Sequence, residues 1–237
     1  MRVLAIESSS VTASAAILTD NIVTAEYSTN FKQTHSQTLL PMIDSICTMT
    51  GTPVESIDLI AVSAGPGSFT GLRIGSATGK GIGLALGKPV VSVPTLEGLA
   101  MNVSGTDRIV CPIMDARRGN VYAGIYRFNY NDGGNLEIIM NQSLLAAQEV
   151  MEKLNQLGCP VVFAGDAVYM YRELIESALN VDAIIAADHN VMPRAASVAV
   201  RGVQLANMGL AADAAEHVPD YLRPSQAERE RADRNEA

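Results

Sequence analysis

A glycine falls on every fourth residue from Gly67 to Gly87, at positions 67, 71, 75, 79, 83 and 87. Positions four apart form one ridge along an α-helix, so a helix over this stretch has one side that carries no side chains. Each interior glycine costs about 1 kcal/mol relative to alanine, and the five from Gly71 to Gly83 together forfeit roughly 4–5 kcal/mol. Close packing of another backbone, or close approach of a ligand, has to offset that loss.

Composition places the chain among folded globular proteins. Hydrophobic residues make up 48% of its 237 residues, which is enough for a core of one large or two small domains. The formal net charge of −8 weighs against a protein that grips nucleic acid through its own phosphate contacts. The three cysteines form no CxxC pair, and the N-terminal stretch resembles no export signal. We therefore expect a cytoplasmic protein without membrane contact.

The order of predicted elements repeats once along the chain. In the first half, three strands, the last two joined by a hairpin turn at Asp20-Asn21, precede a helix over Thr34–Met49. A strand, the glycine-rich helix over Thr70–Leu86, another strand and a short helix follow. The second half repeats this plan and closes with a helix over Arg194–Met208. Each half therefore has the order β-β-β-α-β-α-β-α.

This order predicts the duplicated α/β architecture of actin, the Hsp70 ATPase domain and sugar kinases, the ASKHA type of ribonuclease-H-like fold. We assign residues 1–105 to a first subdomain and residues 106–237, including the closing helix and a charged tail, to a second. Local signals in the second half predict a turn over Asn131–Gly134, a helix capped by Ser143 and a helix over Tyr169–Leu179. Residues Ser225–Ala237 are predicted to be frayed.

Two turns of such a fold are candidates for contact with phosphate. One follows the first strand and contains Glu7, Ser8 and Ser9; the other contains Gly65 and Gly67 and leads into the glycine-rich helix, where its N–H groups could cradle an anion. A plain tight turn remains the alternative for the second loop. The first turn lacks the aspartate and glycines with which a kinase brings Mg²⁺ and nucleotide close. The P-loop and dinucleotide patterns are both absent.

The ionisable residues predict no metal site and no nucleophile. His35, His189 and His217 never fall three to five residues apart, and no cysteine pair adds to them. The G-x-S-x-G elbow of serine hydrolases is also absent. We expect no catalytic residue and no metal.

The helix before the glycine-rich one is unusually apolar. Its apolar residues cover an arc of about 180°, whereas a surface helix needs only about 100° to bury itself in its own domain. One explanation is a crowded domain that covers the whole arc; the other is an exposed patch for a partner. Next to a helix with a side-chain-free ridge, the partner explanation gains weight. The residues predicted for that interface are Leu39, Met42, Ile43, Ile46, Leu72, Gly75, Gly79 and Gly83.

Several segments resemble the TsaB family, the dimerisation subunit of the bacterial tRNA threonylcarbamoyladenosine machinery. They are the segments LAIESS at 4–9, HS at 35–36 with LLPMID at 39–44, GPGSFTGLRIG at 65–75, MDARRGNVY at 114–122 and PDYLR at 219–223. The matches span nearly the whole chain, and those at 65–75 and 114–122 are specific. Nothing after Arg223 is recognised.

The resemblance implies a subunit that is not itself the catalyst. Family members pair with a related TsaD subunit, which carries the metal on two histidines four residues apart and modifies the adenosine beside the anticodon of ANN-decoding tRNAs. A TsaE-type ATPase also takes part. In the family the two N-terminal helices form a helical bundle with the partner, and the same surface can form homodimers. This implies indirect contact with tRNA and no cofactor of its own, with ATP or ADP at the shared interface as a candidate.

Two hypotheses follow. The leading one is a non-catalytic subunit that binds and activates a TsaD-type partner, and it predicts that leucine at Gly75 or Gly79 abolishes pairing while the chain stays folded. The second is an actin-fold ATPase or kinase acting alone, with nucleotide phosphate on the Gly65–Gly67 loop and Mg²⁺ near Glu7. Tight binding of ATP and Mg²⁺ by the isolated chain would favour the second.

Overall fold

The computed structural model describes residues 1–31, 33–130 and 134–223. The first half of the chain has five strands and three helices among the described residues, in the predicted order. They are β1 (Arg2–Glu7), β2 (Ala13–Thr19), β3 (Ile22–Thr29), α1 (His35–Thr50), β4 (Leu59–Gly65), α2 (Phe69–Leu86), β5 (Val90–Pro94) and α3 (Thr95–Ala100).

The second half follows the same plan, with its second helix in two pieces. Its elements are β6 (Ile109–Arg117), β7 (Asn120–Asn129), β8 (Asn135–Ala146), α4 (Ala147–Leu157), β9 (Val161–Ala164), α5 (Ala167–Met170), α6 (Arg172–Ala178), β10 (Ala183–Ile185), α7 (Ala195–Asn207) and β11 (Ala211–Ala212). Short 3-10 turns lie at Val54–Ser56, Met101–Val103 and Ala214–Glu216. The duplicated α/β plan is confirmed.

The strands form two mixed sheets. Among the residues that the structure describes, the first has six strands in the order β11-β5-β4-β1-β2-β3, and the second has five in the order β10-β9-β6-β7-β8. In the first sheet β1, β4 and β5 are parallel, while β1–β2 and β2–β3 are antiparallel. The β2–β3 turn places Asp20 and Asn21 at φ 48° and 66°, the left-handed backbone of a type I′ hairpin. The predicted hairpin is therefore confirmed.

Helices cover both faces of the first sheet. Helices α1 and α2 pack on one face, where β1 and β4 contribute Leu4, Ile6, Ile60 and Val62 to a fully buried core. The closing helix α7 packs on the opposite face of the same sheet, against Val3 and other residues of β1, β2, β4 and β5. This corrects the assignment of residues 106–237 to one subdomain. Because β11 also joins the first sheet, the chain returns to the first lobe after β10.

Two local predictions for the second half differ from the structure. Ser143 does not cap a helix, because β8 continues through it to Ala146 along the edge of β7. The helix predicted over Tyr169–Leu179 is broken at Tyr171 into α5 and α6. The turn at Asn131–Gly134 lies mostly outside the described residues, as does the tail from Ser225.

Within the described part of the chain, no helix has the length and apolar character needed to cross a lipid bilayer.

Candidate functional site

The glycine ridge of α2 lies against the chain's own sheet. A Cβ atom at Gly75 would overlap the Ser8 hydroxyl, and one at Gly79 would overlap Val62 Cγ2. At Gly83 a Cβ would lie 2.7 Å from Ala214 Cβ and 3.0 Å from Val90 Cγ2, again too close. The ridge thus allows α2 to pack closely on β1 and β4, and this packing offsets the helix propensity lost at each glycine.

This geometry corrects the interpretation of the ridge as a docking groove for another chain. Gly75, Gly79 and Gly83 are buried within the chain itself, and the space above them is already filled. Leucine at Gly75 or Gly79 would overlap the chain's own sheet, so this packing speaks against the expectation that such variants stay folded. The ridge cannot be tested as an interface by those substitutions.

The apolar residues predicted for the interface are also core residues. Leu39 and Leu72 are 1% exposed, and Met42, Ile43 and Ile46 are 4–5% exposed. All but Leu72 belong to the core beneath α1, against which Ile74 and Ile82 of α2 also pack. The crowded-domain explanation therefore accounts for most of the wide apolar arc of α1.

The outward faces of α1 and α2 carry a different set of residues. Leu40 is 56% exposed, Met49 is 83% exposed and Leu84 is 54% exposed. On α2 the exposed stripe contains no carboxylate and consists of Thr70, Arg73, Ala77, Gly81, Leu84 and Ala85. This stripe is not among the residues predicted from the sequence, because that prediction places the interface on the glycine ridge, which is the opposite face of α2. The signal was present, since positions 77, 81 and 85 are also small and four apart.

The two turns considered for phosphate binding, the one at Glu7–Ser9 and the one at Gly65–Gly67, are joined by direct hydrogen bonds. Ser68 N donates to Ser9 O at 2.7 Å, and Ser8 Oγ donates to Gly71 O at 2.9 Å. A Cβ at Gly67 would overlap Ser9 O. A phosphate placed between the two turns would have to break these contacts. The turns therefore act as one packed unit in this structure.

Glu7 is turned inward and does not face the cleft between the lobes. It is 1% exposed, and its Oε1 accepts hydrogen bonds from Ser9 N and Ser9 Oγ, both at 2.6 Å. Burial raises the pKa of Glu7 above its ordinary value, against the lowering effect of these hydrogen bonds. Among the described residues, no group of three or more His, Cys, Asp or Glu side chains could hold a metal ion.

The Gly65–Gly67 loop is covered from two sides. Gly65 N already donates to Thr95 Oγ1 at 3.1 Å, and Gly65 O accepts from Gln142 Nε2 at 3.0 Å. A Cβ at Gly65 would overlap Asp220 O, which lies on a C-terminal segment that passes over the loop. Two of the amides expected to cradle an anion, those of Gly65 and Ser68, therefore have partners within the chain.

A cleft of about 810 Å³ lies between the lobes beside this loop. Its walls come from both sheets and from the C-terminal segment, and its charged lining residues are Arg73, Asp115, Arg117, Asp166, Asp220 and Arg223. Burial raises the pKa of Asp166, whose Oδ1 accepts a hydrogen bond from Asp115 N at 3.0 Å. The three arginines are matched by three aspartates, so the lining carries no strong excess of either charge.

Comparison with known proteins identifies the family. The family model described as "TsaD: tRNA N6-adenosine threonylcarbamoyltransferase" matches residues 23–231. A Bacillus subtilis (strain 168) protein named "tRNA threonylcarbamoyladenosine biosynthesis protein TsaB" is 36% identical over 230 residues, which cover 96% of each chain. The chain belongs to the TsaB family. An Escherichia coli (strain K12) TsaB is 32% identical and covers 94% of this chain, which spans 95% of that protein.

Solved structures agree with this TsaB assignment. YeaZ from Pseudomonas aeruginosa superposes with a TM-score of 0.79 at 26% identity, covering 93% of this chain and 99% of that one. A second Pseudomonas aeruginosa structure, described as similar to peptidase YeaZ, has a TM-score of 0.80 at 26% identity and covers 94% of this chain and 99% of that one. The expected resemblance to TsaB and the expected fold are both confirmed.

Most of the segments that carried the TsaB resemblance converge on the cleft, while those at 35–36 and 39–44 lie outside its lining. The loop before α2, the β6–β7 hairpin and the C-terminal segment all line it. In the hairpin, Arg117 and Arg118 adopt φ angles of 65° and 58°, which place the turn in the left-handed region. The cleft thus gathers three distant stretches of sequence into one structural site.

Proposed function

We propose that this chain is a non-catalytic subunit that binds and activates a TsaD-type catalytic subunit. The pair threonylcarbamoylates the adenosine 3′ to the anticodon in ANN-decoding tRNAs, with a TsaE-type ATPase as a further component. Membership of the TsaB family carries the proposal, since the relative that is 36% identical over 96% of this chain is named a tRNA threonylcarbamoyladenosine biosynthesis protein.

The packing at the two turns supports a non-catalytic role. An actin-like enzyme needs space between these turns for substrate phosphate, whereas here Ser68 N and Ser9 O are hydrogen-bonded at 2.7 Å. The TsaD-type subunit holds its metal on two histidines four residues apart, and the three histidines of this chain contain no pair with that spacing. The chain contacts tRNA indirectly, binds no cofactor of its own, and shares any ATP or ADP with its partner at their interface.

The outward faces of α1 and α2 form the partner surface in this proposal. Ala77 and Gly81 present a low surface at the middle of α2, and exposed apolar side chains lie on the same helix at Leu84 and on α1 at Leu40 and Met49. Partner helices can approach closely where side chains are small, and apolar side chains at the rim gain energy when they are covered. The same surface serves for a homodimer when the partner is absent.

Light scattering coupled to size exclusion tests the pairing, with a purified TsaD-type subunit from the same organism. We expect the wild-type chain to form a complex, and Leu84→Glu to weaken it by about tenfold or more, because a buried charge without a partner is costly. Met170→Glu is the matched control, since Met170 is 64% exposed on the other lobe and should pair normally. Equal pairing by both variants would remove α2 from the interface, and no wild-type complex would contradict the proposal itself.

Two further measurements separate this proposal from a stand-alone ATPase. Calorimetry of the isolated chain with ATP and Mg²⁺ should give no tight binding, whereas tight binding would favour nucleotide at Gly65–Gly67. Threonylcarbamoylation of tRNA should require this chain together with the TsaD-type and TsaE-type subunits, and the chain alone should give no product. Product from this chain alone would show that it is an enzyme.

A further inference from the structure

Residues His217–Arg223, here called the C-terminal strap, cross the cleft between the lobes. On the first lobe, Asp220 N donates to Ala64 O at 2.7 Å. The Tyr221 ring lies 4.8 Å from the Phe69 ring, and Arg73 Nε donates to the Tyr221 hydroxyl at 3.3 Å. The Arg73 guanidinium also lies 4.0 Å above the Phe69 ring. Tyr221 is thus held by Phe69 and Arg73, which lie near the N-terminal end of α2.

The next residues of the strap bind the second lobe. Leu222 packs against the core formed by residues of the second sheet and α3, including Met114 and Tyr122. Arg223 NH1 donates to the carbonyl oxygen of Ala116 at the end of β6. Adjacent residues of the strap therefore contact opposite lobes, which is the arrangement of a bridge.

The other end of the strap is fixed to α2 as well. Lys80 Nζ donates to His217 O at 3.2 Å and to Ala215 O at 2.6 Å. The His217 ring is 5% exposed, and its Nδ1 lies 2.7 Å from Ser92 Oγ on β5. Because Arg73 and Lys80 lie two turns apart on α2, the strap holds this helix at two points and ties it to the second lobe.

A side chain of the second sheet closes the bridge. Gln142 Nε2, from β8, donates to Asp220 Oδ2 at 3.3 Å and to Gly65 O at 3.0 Å. One amide group thus joins the strap, the loop before α2 and the second lobe. Another link near the cleft runs through α3, whose Leu96 and Leu99 pack against the second sheet and whose Leu96 N donates to Gln142 Oε1 at 3.5 Å.

We propose that the C-terminal strap is a built-in ligand of the cleft, which fixes the angle between the lobes and holds α2 in the orientation that its partner recognises. Tyr221 and Arg223 are its positioning residues, one for each lobe. A ligand that contacts both walls of a cleft stabilises the closed arrangement of the lobes, because it makes contacts there that it loses when the lobes open. A ligand that is part of the same chain is always present at the cleft. The role in partner recognition rests on the proposed function, whereas the role between the lobes does not.

The chain's own cysteines allow the angle between the lobes to be measured. Cys47 on α1 and Cys159 before β9 are partly exposed and lie in different lobes, while Cys111 is fully buried. Spin labels on Cys47 and Cys159 report the inter-lobe distance by pulsed electron resonance when labelled chain is diluted in unlabelled chain, so that distances between copies do not contribute. We expect one narrow distance in the wild-type chain and a broadened or shifted distribution in the Tyr221→Ala/Arg223→Ala double variant.

Affinity for the TsaD-type subunit is measured on the same variants. The double variant should pair about tenfold more weakly, because it loses preorganisation of α2. Tyr221→Phe keeps the ring contact with Phe69 and should stay close to wild type in both measurements. Val218→Ala is the control within the strap, since Val218 is 67% exposed and should change neither. A circular dichroism spectrum and a cooperative urea transition confirm that each variant is folded.

Each outcome bears on a separate part of the proposal. An unchanged distance distribution in the folded double variant would overturn the strap as a bridge. A broadened distribution with wild-type affinity would overturn its role in presenting α2. If the wild-type chain does not pair at all but the double variant broadens the distribution, the proposed function fails and the bridge stands. Should the double variant not fold, the milder Tyr221→Phe/Arg223→Ala variant gives the same readouts.

Discussion

Gly79 and Gly81 lie two residues apart on α2 but face opposite environments, which makes them a matched pair. A Cβ at Gly79 would overlap Val62 Cγ2 and lie 3.5 Å from Ile60 Cγ2, and both of these neighbours are fully buried. A Cβ at Gly81 would have nothing within 4 Å. Alanine substitution therefore changes helix propensity equally at the two positions and changes packing at only one.

The expected energies follow from these two terms. Alanine is favoured over glycine in a helix interior by about 1 kcal/mol, so Gly81→Ala should raise the free energy of unfolding by about that amount. At Gly79 the same gain is opposed by overpacking, which costs about 1–3 kcal/mol when the neighbours cannot move aside. The difference between the two variants isolates the overpacking cost, because the propensity gain cancels. We expect Gly79→Ala to be less stable than Gly81→Ala by about 1–3 kcal/mol.

Urea unfolding followed by circular dichroism measures this difference. The slope of the free energy with urea should be the same in wild type and both variants, so that a shift in midpoint reports stability directly. Equal midpoints for Gly79→Ala and Gly81→Ala would refute the packing of the ridge on the chain's own sheet. In that case the ridge would return as a candidate groove for another helix.

Two further predictions concern buried charge. Because burial raises the pKa of Glu7, the folded state favours the protonated carboxyl, and this contribution to stability is lost as pH rises through the folded-state pKa. Glu7→Gln keeps an acceptor for Ser9, so it should raise the urea midpoint at pH 7 and lose that advantage near pH 4. An advantage that does not change with pH would contradict this account of Glu7. Arg201 and Glu97 form a buried ion pair at 2.7 Å, so Arg201→Leu should lower the free energy of unfolding by about 3–5 kcal/mol. Arg172→Leu, which removes the exposed pair of Arg172 with Glu176, should cost less than about 1 kcal/mol in the same urea assay. Similar losses in the two variants would refute the role of burial.

Local chemistry made the elements of the first lobe predictable. The Asp20-Asn21 turn, and the glycines at positions 51 and 87 that end α1 and α2 at φ 59° and 62°, act within a few residues of the chain. Their positions in the structure match the predicted hairpin and the two helix ends. Repetition of that local order in the second half then indicated the duplicated fold.

Predictions that depended on distant pairing were weaker. Ser143 has the chemistry of a helix cap, but its segment is held as a strand by β7, where Ser143 pairs with Ala123, twenty residues earlier in the chain. The closing helix α7 follows the second sheet in sequence, yet it buries its apolar face on β1 and β2 of the first. Helix periodicity predicts that a face will be buried and contains no information about which sheet buries it.

The candidate site shows the same division. The residue pattern alone predicts that α2 has a side-chain-free ridge, that α1 has a wide apolar arc, and that the chain resembles the TsaB family. The folded structure adds that Ser8, Val62 and Ala214 fill the ridge, that the exposed stripe is the opposite face, and that Tyr221 packs on Phe69 at the start of α2. The physical reason is that close packing with the chain's own sheet and docking of a foreign helix require the same glycine spacing, and only the atoms brought there by the fold distinguish them.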